Sequence, residues 1–432
     1  MPKDLKTITA PNSEYLEFTY VGSTGTGKGR NDNFVMENMH DGTMKVTKGR
    51  IGVRVGRDKP YSFFKPIEEW ENTYLEQISR GFIVTKKEKM AKKVVTKNGS
   101  AYQNINDKEI RDIVKFFMEL ANTAVETNYS ISVDDISDEM IQLGRDIIAN
   151  LHANVNELSP AMFNSKLHRL WQAIPRRIDN VSKAEVQRQK DFQKKIEDEQ
   201  EMLDFIVGQI RAAKNPTILD ANNLMWEHIT DVEKKTILDM MGPNRKMFSR
   251  AWRVTNIRTE NAFSEYCNKH GGLTLENDGV TRLFHGSRTE NFWSIAVNGL
   301  WVNPTGVPIT GKAFGHGIYF APSCQKSFGY TSGLNSYWAK GSSDTAYMAI
   351  FKVATGNIYD YYADSRSGNY HRPPDNYDEL QKYKPGADCL WAYGGQATAL
   401  DSCRVRNDEV IVYREDECTI EYLIELKSGY GF

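Results

Sequence analysis

The chain has 432 residues, of which 40% are hydrophobic and 11% aromatic, and its formal net charge is −1. At about 150 residues per domain this length predicts roughly three domains, and the composition excludes a disordered, collagen-like or coiled-coil chain. No apolar run reaches the ~18 residues that a membrane-spanning helix needs. The polar N-terminus lacks the apolar region of a signal peptide. The sequence therefore predicts a soluble, intracellular protein.

The five cysteines are an odd number, lie far apart and show no C-x-x-C spacing. Neither a zinc finger nor a disulfide framework is indicated, and no metal site is predicted. Basic residues concentrate at the start of the chain, because the first 100 residues hold 18 Lys and Arg against 12 Asp and Glu. A basic excess suits a polyanionic partner, although on charge alone a solvated basic surface is the simpler interpretation.

Residues 1–85 are predicted to form a small β-rich domain. Three short runs alternate in polarity or carry β-branched residues: residues 15–21, 33–39 and 43–56. The Asp41-Gly42 pair between two of them is a strong hairpin signal. A helix is expected over residues 67–80, and residues 86–104 form a basic linker.

Residues 105–214 are predicted to form an all-α bundle. Apolar residues at intervals of three and four predict helices over residues 107–127 and 135–157. Ser159 followed by Pro160 predicts the start of the next helix, through a side-chain cap and a proline in the first turn.

The last helix of the bundle is expected to be the longest. Ser182 and Glu185 have the spacing of a capping box, which predicts a helix from there to about Ala213. Residues 215–432 then change character. One or two helices over residues 219–241 are followed by short strands and Gly/Pro-rich loops, ending in β runs at 409–413 and 419–426. This pattern predicts an α+β domain with a mainly antiparallel sheet.

Four short segments of this last domain carry chemistry-bearing side chains in a fixed order. His285 lies in LFHGSR, Tyr319 in GHGIYFA, Ser327 and Tyr330 in KSFGY, and Glu409 opens EVIVY. Taken singly, a histidine, a strand tyrosine or a glutamate at a strand start usually has a structural explanation. Their combination is the informative signal.

Together these segments resemble the catalytic domain of the poly(ADP-ribose) polymerase family of ADP-ribosyltransferases, which carries a His-Tyr-Glu triad on successive core strands. The segment from Leu283 to Tyr330 matches the family almost without a gap, and the two C-terminal β runs are similar to its closing strands. The resemblance implies that NAD is the substrate and that no metal takes part. It also implies that the triad is Glu409, His285 and Tyr319.

For the nicotinamide half of NAD, the resemblance assigns four residues. The Gly286 backbone and the Ser327 hydroxyl would hold the carboxamide. Tyr330 would stack on the nicotinamide ring, and Tyr319 would pack against its other side.

For the two riboses, the resemblance assigns three residues and a loop. His285 and Ser287 would contact the adenosine ribose. Glu409 would bind the nicotinamide ribose and orient or deprotonate the acceptor. The loop 302–316 corresponds to the family's donor-site loop, and Trp301 before it is an apolar ring where relatives often have arginine.

The upstream parts resemble the family's DNA-dependent members. The block 105–214 has the position of their autoinhibitory helical domain, and residues 1–85 are similar to a WGR domain, which docks on DNA ends. The segment KGRIGVRVG keeps the glycine and arginine of that signature but has Lys48 in place of its tryptophan. The predicted phosphate contacts are Lys48, Arg50, Arg54 and Arg57, with ordinary exposed strand charges as the alternative.

The predicted function is a protein ADP-ribosyltransferase that forms poly(ADP-ribose), responds to DNA strand breaks, and modifies itself and other proteins. A mono-ADP-ribosyltransferase indifferent to DNA, and a non-catalytic module that binds DNA ends or NAD, remain open. A eukaryotic source would imply the nucleus, with residues 86–93 as a weak import signal. A bacterial or viral source would imply the cytoplasm. No membrane partner is expected.

Overall fold

The computed structural model describes the chain in ten stretches: residues 9–22, 29–51, 59–87, 105–214, 223–302, 313–336, 339, 341–362, 372–395 and 406–427. Two compact units divide it, one comprising Met1–Asn98 and Thr123–Ile210, the other Gly99–Asn122 and Arg211–Phe432. None of the helices in these stretches is both long and apolar enough to cross a membrane.

The first unit contains a five-stranded antiparallel sheet in the order β4-β3-β2-β1-β5. Its elements are β1 (Tyr15–Gly22), β2 (Arg30–Asn38), β3 (Thr43–Arg50), β4 (Tyr61–Pro66), a 3₁₀ turn (Ile67–Glu69), α1 (Trp70–Ser79) and β5 (Ile83–Lys86). The predicted hairpin at Asp41-Gly42 is confirmed. The Asp41 carboxylate accepts the backbone N–H of Thr43 at 2.9 Å, and Gly42 adopts a φ of 85°, which favours glycine.

The helices that follow are α2 (Lys108–Asn128), α3 (Asp138–Ala153), α4 (Pro160–Ala173), α5 (Val181–Ala184) and α6 (Phe192–Lys214). The predicted cap of α4 is confirmed, since the Ser159 side chain accepts the N–H of Met162 at 3.3 Å. The stacked rings of Phe163 and Phe192, 3.9 Å apart, lie in the core of the first unit.

The predicted capping box at Ser182 and Glu185 was wrong. Asn180 caps the short helix α5 instead, and α6 begins only at Phe192. Glu185 ends α5 in an extended conformation and pairs with His168 at 3.0 Å. A long-range partner therefore takes the carboxylate that local spacing assigned to a helix start.

The second unit is α+β with mainly antiparallel sheets, as predicted. Its strands are β6 (Leu224–His228), β7 (Phe248–Asn256), β8 (Val280–Gly286), β9 (Ile318–Phe320), β10 (Thr345–Ala354), β11 (Ile358–Tyr362), β12 (Cys389–Tyr393), β13 (Glu409–Val412) and β14 (Cys418–Lys427). They form an antiparallel sheet β6-β7-β14-β10-β8 and a second sheet β11-β12-β13-β9, in which the pair β11-β12 is parallel. The helices are α7 (Asp231–Met241), α8 (Ile257–Lys269), α9 (Phe292–Asn298), α10 (Cys324–Phe328) and α11 (Tyr377–Tyr383).

Helix α2 contributes its first part to the second unit and its last part to the first. Phe117 is fully buried, and its ring lies 4.9 Å from Tyr347, 6.0 Å from Trp226 and 6.2 Å from Phe292 between centroids. The first half of α2 is thus part of the core of the second unit. The functional boundaries at residues 105 and 215 stay a prediction.

Candidate active site

The edges of the two sheets of the second unit meet where β8 ends. Phe284 and Ala321 exchange backbone hydrogen bonds of 2.9 and 3.0 Å, which brings His285 beside Tyr319. The Nδ1 atom of His285 lies 3.0 Å from the Tyr319 carbonyl oxygen. Because a carbonyl can only accept, Nδ1 of His285 carries a hydrogen.

The Tyr319 hydroxyl is held by backbone groups on both sides. It accepts the N–H of Phe314 at 2.9 Å and donates to the carbonyl of Gly315 at 3.0 Å. Burial raises the pKa of Tyr319 well above its ordinary value, and the charge of Glu409 raises it further. The phenol is therefore neutral and fixed, which suits it to position a ligand rather than to act as a base.

Gly286 and Ser327 are in close contact. A Cβ atom at position 286 would lie 1.8 Å from the Ser327 carbonyl oxygen, so only glycine fits there. The Ser327 hydroxyl is buried and donates to the Phe284 carbonyl at 3.1 Å. Ser327 lies near the end of α10, and Tyr330 follows that helix.

Glu409 is 8% exposed and begins β13. The register of β13 with β9 pairs Ile411 with Tyr319, and Glu409 lies on the same face because it is two residues from Ile411. Its carboxylate forms an ion pair with the Lys326 ammonium, which is also mostly buried. Lys326 is a functional candidate that sequence reasoning missed, although it is the first residue of the segment KSFGY.

Tyr330 and Ser287 complete the predicted set. The Tyr330 side chain is 38% exposed, and its pKa is raised by burial and then by the charge of Glu409. Ser287 accepts the side-chain N–H of Asn291 at 2.9 Å. Around the ion pair, the structure thus brings the triad close to the residues assigned to the nicotinamide, while their individual roles stay predictions.

A second contact, here called the clasp, ties the residues before Tyr319 to Asp375. The backbone N–H of His316 donates to the Asp375 carbonyl at 2.7 Å, and Nδ1 lies 3.1 Å from its carboxylate. Gly315 has a φ of 71°, and a Cβ there would lie 2.4 Å from the Asp375 Cα. Most of the predicted donor-site loop, residues 303–312, lies outside the described residues.

The residues predicted to contact DNA are in the first unit, on and after β3. The Lys48 ammonium lies 5.2 Å from the ring centroids of both Phe34 and Phe63, and its pKa is lowered by burial and by Arg80. The Arg50 guanidinium donates to the Gly29 carbonyl. The remaining two, Arg54 and Arg57, lie outside the described residues.

The remaining features are possible metal-binding side chains and the surroundings of Trp301. Within the described stretches, no group of three His, Cys, Asp or Glu side chains is arranged to hold a metal ion. The Trp301 ring is covered by the guanidinium of Arg211, 4.8 Å from its centroid.

Comparisons with known proteins identify the same region. A family model described as the poly(ADP-ribose) polymerase catalytic domain matches residues 228–428. Poly [ADP-ribose] polymerase 1 of Xenopus laevis is 32% identical over 157 residues, which are 34% of this chain and 15% of the frog protein. A poly [ADP-ribose] polymerase-like protein of Invertebrate iridescent virus 6 is 28% identical over 210 residues, 48% of this chain and 98% of the viral protein.

The human protein mono-ADP-ribosyltransferase PARP3 is 25% identical over 210 residues, which are 44% of this chain and 36% of the human protein. The chain therefore spans well under two thirds of the frog and human relatives, and nearly all of the viral one.

Proposed function

Residues 228–428 carry a catalytic domain of the poly(ADP-ribose) polymerase family of ADP-ribosyltransferases, and from this we propose that the chain cleaves NAD and transfers ADP-ribose to proteins, itself included. The observation that supports this most directly is the buried carboxylate of Glu409, held by Lys326 on the sheet face that also carries Tyr319. A binding module has no need of a carboxylate placed in this way.

The residues present fit NAD. Gly286 lies against the Ser327 backbone because it lacks a side chain, and the Ser327 hydroxyl donates to the carbonyl of Phe284 on the same strand. These two would hold the carboxamide, and the partly exposed ring of Tyr330 would stack on the nicotinamide. The contact of His285 Nδ1 with the Tyr319 carbonyl holds the imidazole ring in place. His285 would contact the adenosine ribose, with Ser287 nearby in sequence.

The chemistry follows from these positions. Cleavage of the bond between nicotinamide and ribose passes through a state with oxocarbenium character, which a nearby carboxylate stabilises. Glu409 supplies this negative charge and accepts the proton of the attacking hydroxyl. Lys326 holds the carboxylate in one orientation, and Tyr319 keeps the wall of the site rigid.

We further propose that the acceptors include the hydroxyls of ADP-ribose already attached, so that chains grow. The test is a gel of the purified protein with labelled NAD, beside Glu409→Gln. A ladder of products that the variant no longer forms supports chain growth through Glu409. Unchanged elongation in the variant would show that Glu409 does not have this role.

The alternative of single-unit transfer is favoured by one observation, the similarity to a human protein named as a mono-ADP-ribosyltransferase. On the same gel it predicts a single labelled band at all NAD concentrations. Absence of nicotinamide release in any condition would reject both versions and favour a non-catalytic module.

Stimulation by DNA strand breaks is a separate part of the proposal. It is supported by the basic excess of the first 100 residues and by the position of Lys48 and Arg50 on one strand. Adding short DNA with 5′-phosphorylated breaks should raise the rate, and binding should weaken steeply between low and moderate salt. A rate indifferent to DNA, or binding insensitive to salt, would reject this part alone.

A further inference from the structure

Tyr413 is a buried tyrosine whose hydroxyl lies between two segments of the candidate active site. It directly follows β13 and is 4% exposed. Its hydroxyl oxygen lies 2.8 Å from the Phe314 carbonyl oxygen and 3.0 Å from that of Pro374. Because a carbonyl can only accept, the single hydrogen of this hydroxyl serves both carbonyls. Tyr413 therefore joins the segment before Tyr319 to the segment that contains Asp375.

Phe314 connects Tyr413 to Tyr319. Its carbonyl accepts from the Tyr413 hydroxyl, and its N–H donates to the Tyr319 hydroxyl at 2.9 Å. The Tyr319 hydroxyl donates in turn to the next carbonyl, that of Gly315, at 3.0 Å. Two tyrosine hydroxyls thus hold the same short stretch of buried backbone, and the loss of one changes the surroundings of the other.

The ring and the backbone of Tyr413 are held independently of its hydroxyl. The backbone N–H donates to the Glu417 carboxyl at 2.9 Å. The ring lies against Gly317, where an added Cβ would be 3.2 Å from the ring atom Cδ1, and it shares a core with Phe314 and Tyr361. Replacement of Tyr413 by phenylalanine therefore removes the hydroxyl contact and leaves the core filled.

The protonation state of Tyr413 suits it to be a permanent hydrogen-bond donor. Burial raises the pKa of its hydroxyl well above the ordinary value, and the neighbouring Tyr319 and Asp375 raise it further. The phenol is therefore neutral at neutral pH. A neutral phenol whose two partners are backbone carbonyls holds them in place and takes no part in proton transfer.

We infer that Tyr413 is a positioning residue for NAD, an inference that rests on the proposed function. Its hydroxyl holds the carbonyl of Phe314, the Phe314 N–H holds the Tyr319 hydroxyl, and Tyr319 is predicted to pack against the nicotinamide ring. The clasp holds the adjoining residue, His316, to the segment that also contains Pro374. Tyr413 thus affects NAD binding through Tyr319.

The test is a double-mutant cycle on the full chain, with Tyr413→Phe, Tyr319→Phe and the variant that carries both changes. Nicotinamide release at varied NAD concentration gives kcat and KM, at a temperature at which thermal denaturation shows all the proteins to be folded. We expect Tyr413→Phe to raise the KM for NAD about three- to tenfold, the value of one hydrogen bond, with a smaller change in kcat. In the Tyr319→Phe background the same change should raise KM less than about twofold, because the two hydroxyls belong to one network.

The matched control is Tyr422→Phe. Tyr422 is 1% exposed, and its hydroxyl donates to Glu233 at 3.2 Å. Glu233 lies on α7, which carries none of the residues assigned to NAD. This variant also loses a buried hydroxyl, so its melting temperature should fall, whereas its KM for NAD should equal that of the wild type.

An unchanged KM in Tyr413→Phe, an equal rise in Tyr422→Phe, or effects of the two hydroxyls that multiply in the double variant would overturn the inference while the transferase activity stands. A wild type that releases no nicotinamide would instead reject the proposed function. Calorimetric titration of the same proteins with NAD decides the role of Tyr413 in that case. A weaker affinity in Tyr413→Phe alone, with no further loss in the double variant relative to Tyr319→Phe, supports positioning, and equal affinities of Tyr413→Phe and the wild type overturn it.

Discussion

Gly286 stands where the carbonyl oxygen of Ser327 leaves no room for a side chain. Gly286→Ala must therefore push α10 away from β8, and overpacking of this kind costs about 1–3 kcal/mol or more. We expect a lower melting temperature and a larger loss of NAD binding, since the displaced segment carries Ser327. Both are measurable by thermal denaturation with and without NAD.

Gly144→Ala is the matched control for that change. A Cβ at position 144 would meet its nearest atoms at 3.4–3.6 Å, an ordinary packing distance, and alanine favours a helix over glycine by roughly 1 kcal/mol. This variant should be as stable as the wild type or more so. Equal destabilisation of the two variants would show that the contact at Gly286 is not the cause.

Glu417 makes stability depend on pH. It is fully buried, and burial raises the pKa of its carboxyl to about 8, from an ordinary 4.5. The unfolded chain therefore releases this proton near pH 4.5 and the folded protein only near pH 8. The stabilisation from the protonated group is complete below pH 4.5, declines as the pH rises and is lost above pH 8.

Glu417→Gln lacks this dependence. The free energy of unfolding of the wild type should fall relative to the variant between pH 5 and pH 8, by on the order of 1.4 kcal/mol for each unit of pKa shift. Urea denaturation of both proteins at several pH values measures it. Parallel pH profiles would contradict the prediction.

For single residues, the sequence pointed to side chains that lie in distinctive segments. It did not point to a side chain whose role depends on an ion pair with a residue far away along the chain. His285, Tyr319 and Glu409 could be predicted as site residues because their flanking segments are distinctive, and their roles stay predictions. Lys326 in the segment KSFGY carried no predicted role, because its partner Glu409 lies 83 residues away along the chain. Nothing in a single sequence reports which charges meet after folding.

Among the elements, α2 has neighbouring phenylalanines in different environments. Phe117 is fully buried against aromatic rings of the second unit, whereas Phe116 is 40% exposed. Phe117→Ala should lower the free energy of unfolding by about 3–5 kcal/mol, and Phe116→Ala by about 1 kcal/mol or less. Chemical denaturation followed by tryptophan fluorescence separates the two. Similar losses would mean that α2 does not enter the core as described.

The clasp, the contact between His316 and Asp375, fixes the position of the segment before Tyr319. Asp375→Ala removes the carboxylate that His316 contacts at 3.1 Å and leaves the backbone contact in place. We expect the KM for NAD to rise about fivefold, the value of roughly one hydrogen bond, with a smaller change in kcat. Steady-state kinetics with nicotinamide as the measured product give both constants.

The control for the clasp is Asp378→Ala, an exposed carboxylate in the first turn of α11. It should change neither constant. A fall in kcat at constant KM in Asp375→Ala would argue against a positioning role for the clasp.

The prediction of turns and helix starts was correct where a short sequence signal determines the local structure. It was wrong where a tertiary contact involves the same side chain. The turn at Asp41-Gly42 depends on a hydrogen bond from Thr43 to Asp41. The cap of α4 depends on a hydrogen bond from Met162 to Ser159. Both partners lie within three residues along the chain, so the local sequence is enough to predict the turn and the cap. Ser182 and Glu185 have an equally good local pattern, but His168 takes the glutamate. Helix α6 starts at Phe192, ten residues after the serine.

Across the whole molecule, the pattern of helical and strand signals after residue 215 predicted an α+β domain with a mainly antiparallel sheet, and the second unit has this architecture. Periodicity also predicted α2 and grouped it with the bundle of residues 105–214. Its first half instead packs in the core of the second unit, because an apolar stripe does not say which core a helix enters. A chain shortened to residues 215–432 would lack Phe117, and the rings of Trp226, Phe292 and Tyr347 would lose the ring that they pack against. We expect it to melt below the full chain and to gain stability when a peptide of residues 105–122 is added.

That experiment has a direct control in the same peptide with alanine at position 117. Stabilisation by the unsubstituted peptide alone is the expected result, measured as a shift in melting temperature. Equal shifts with both peptides would show that the ring is not what completes the core.

The division of α2 between two units also predicts which substitutions in this helix are tolerated. Residues Ile110, Ile113, Val114 and Phe117 share a core with β14 and β10, so substitutions there should be tolerated as rarely as those in the catalytic strands. Substitutions beyond residue 122 belong to the other core. Among homologues, the first half of this helix should therefore vary together with the catalytic domain. Chimeras of two homologues should keep their function when the junction between the two sequences lies outside this helix.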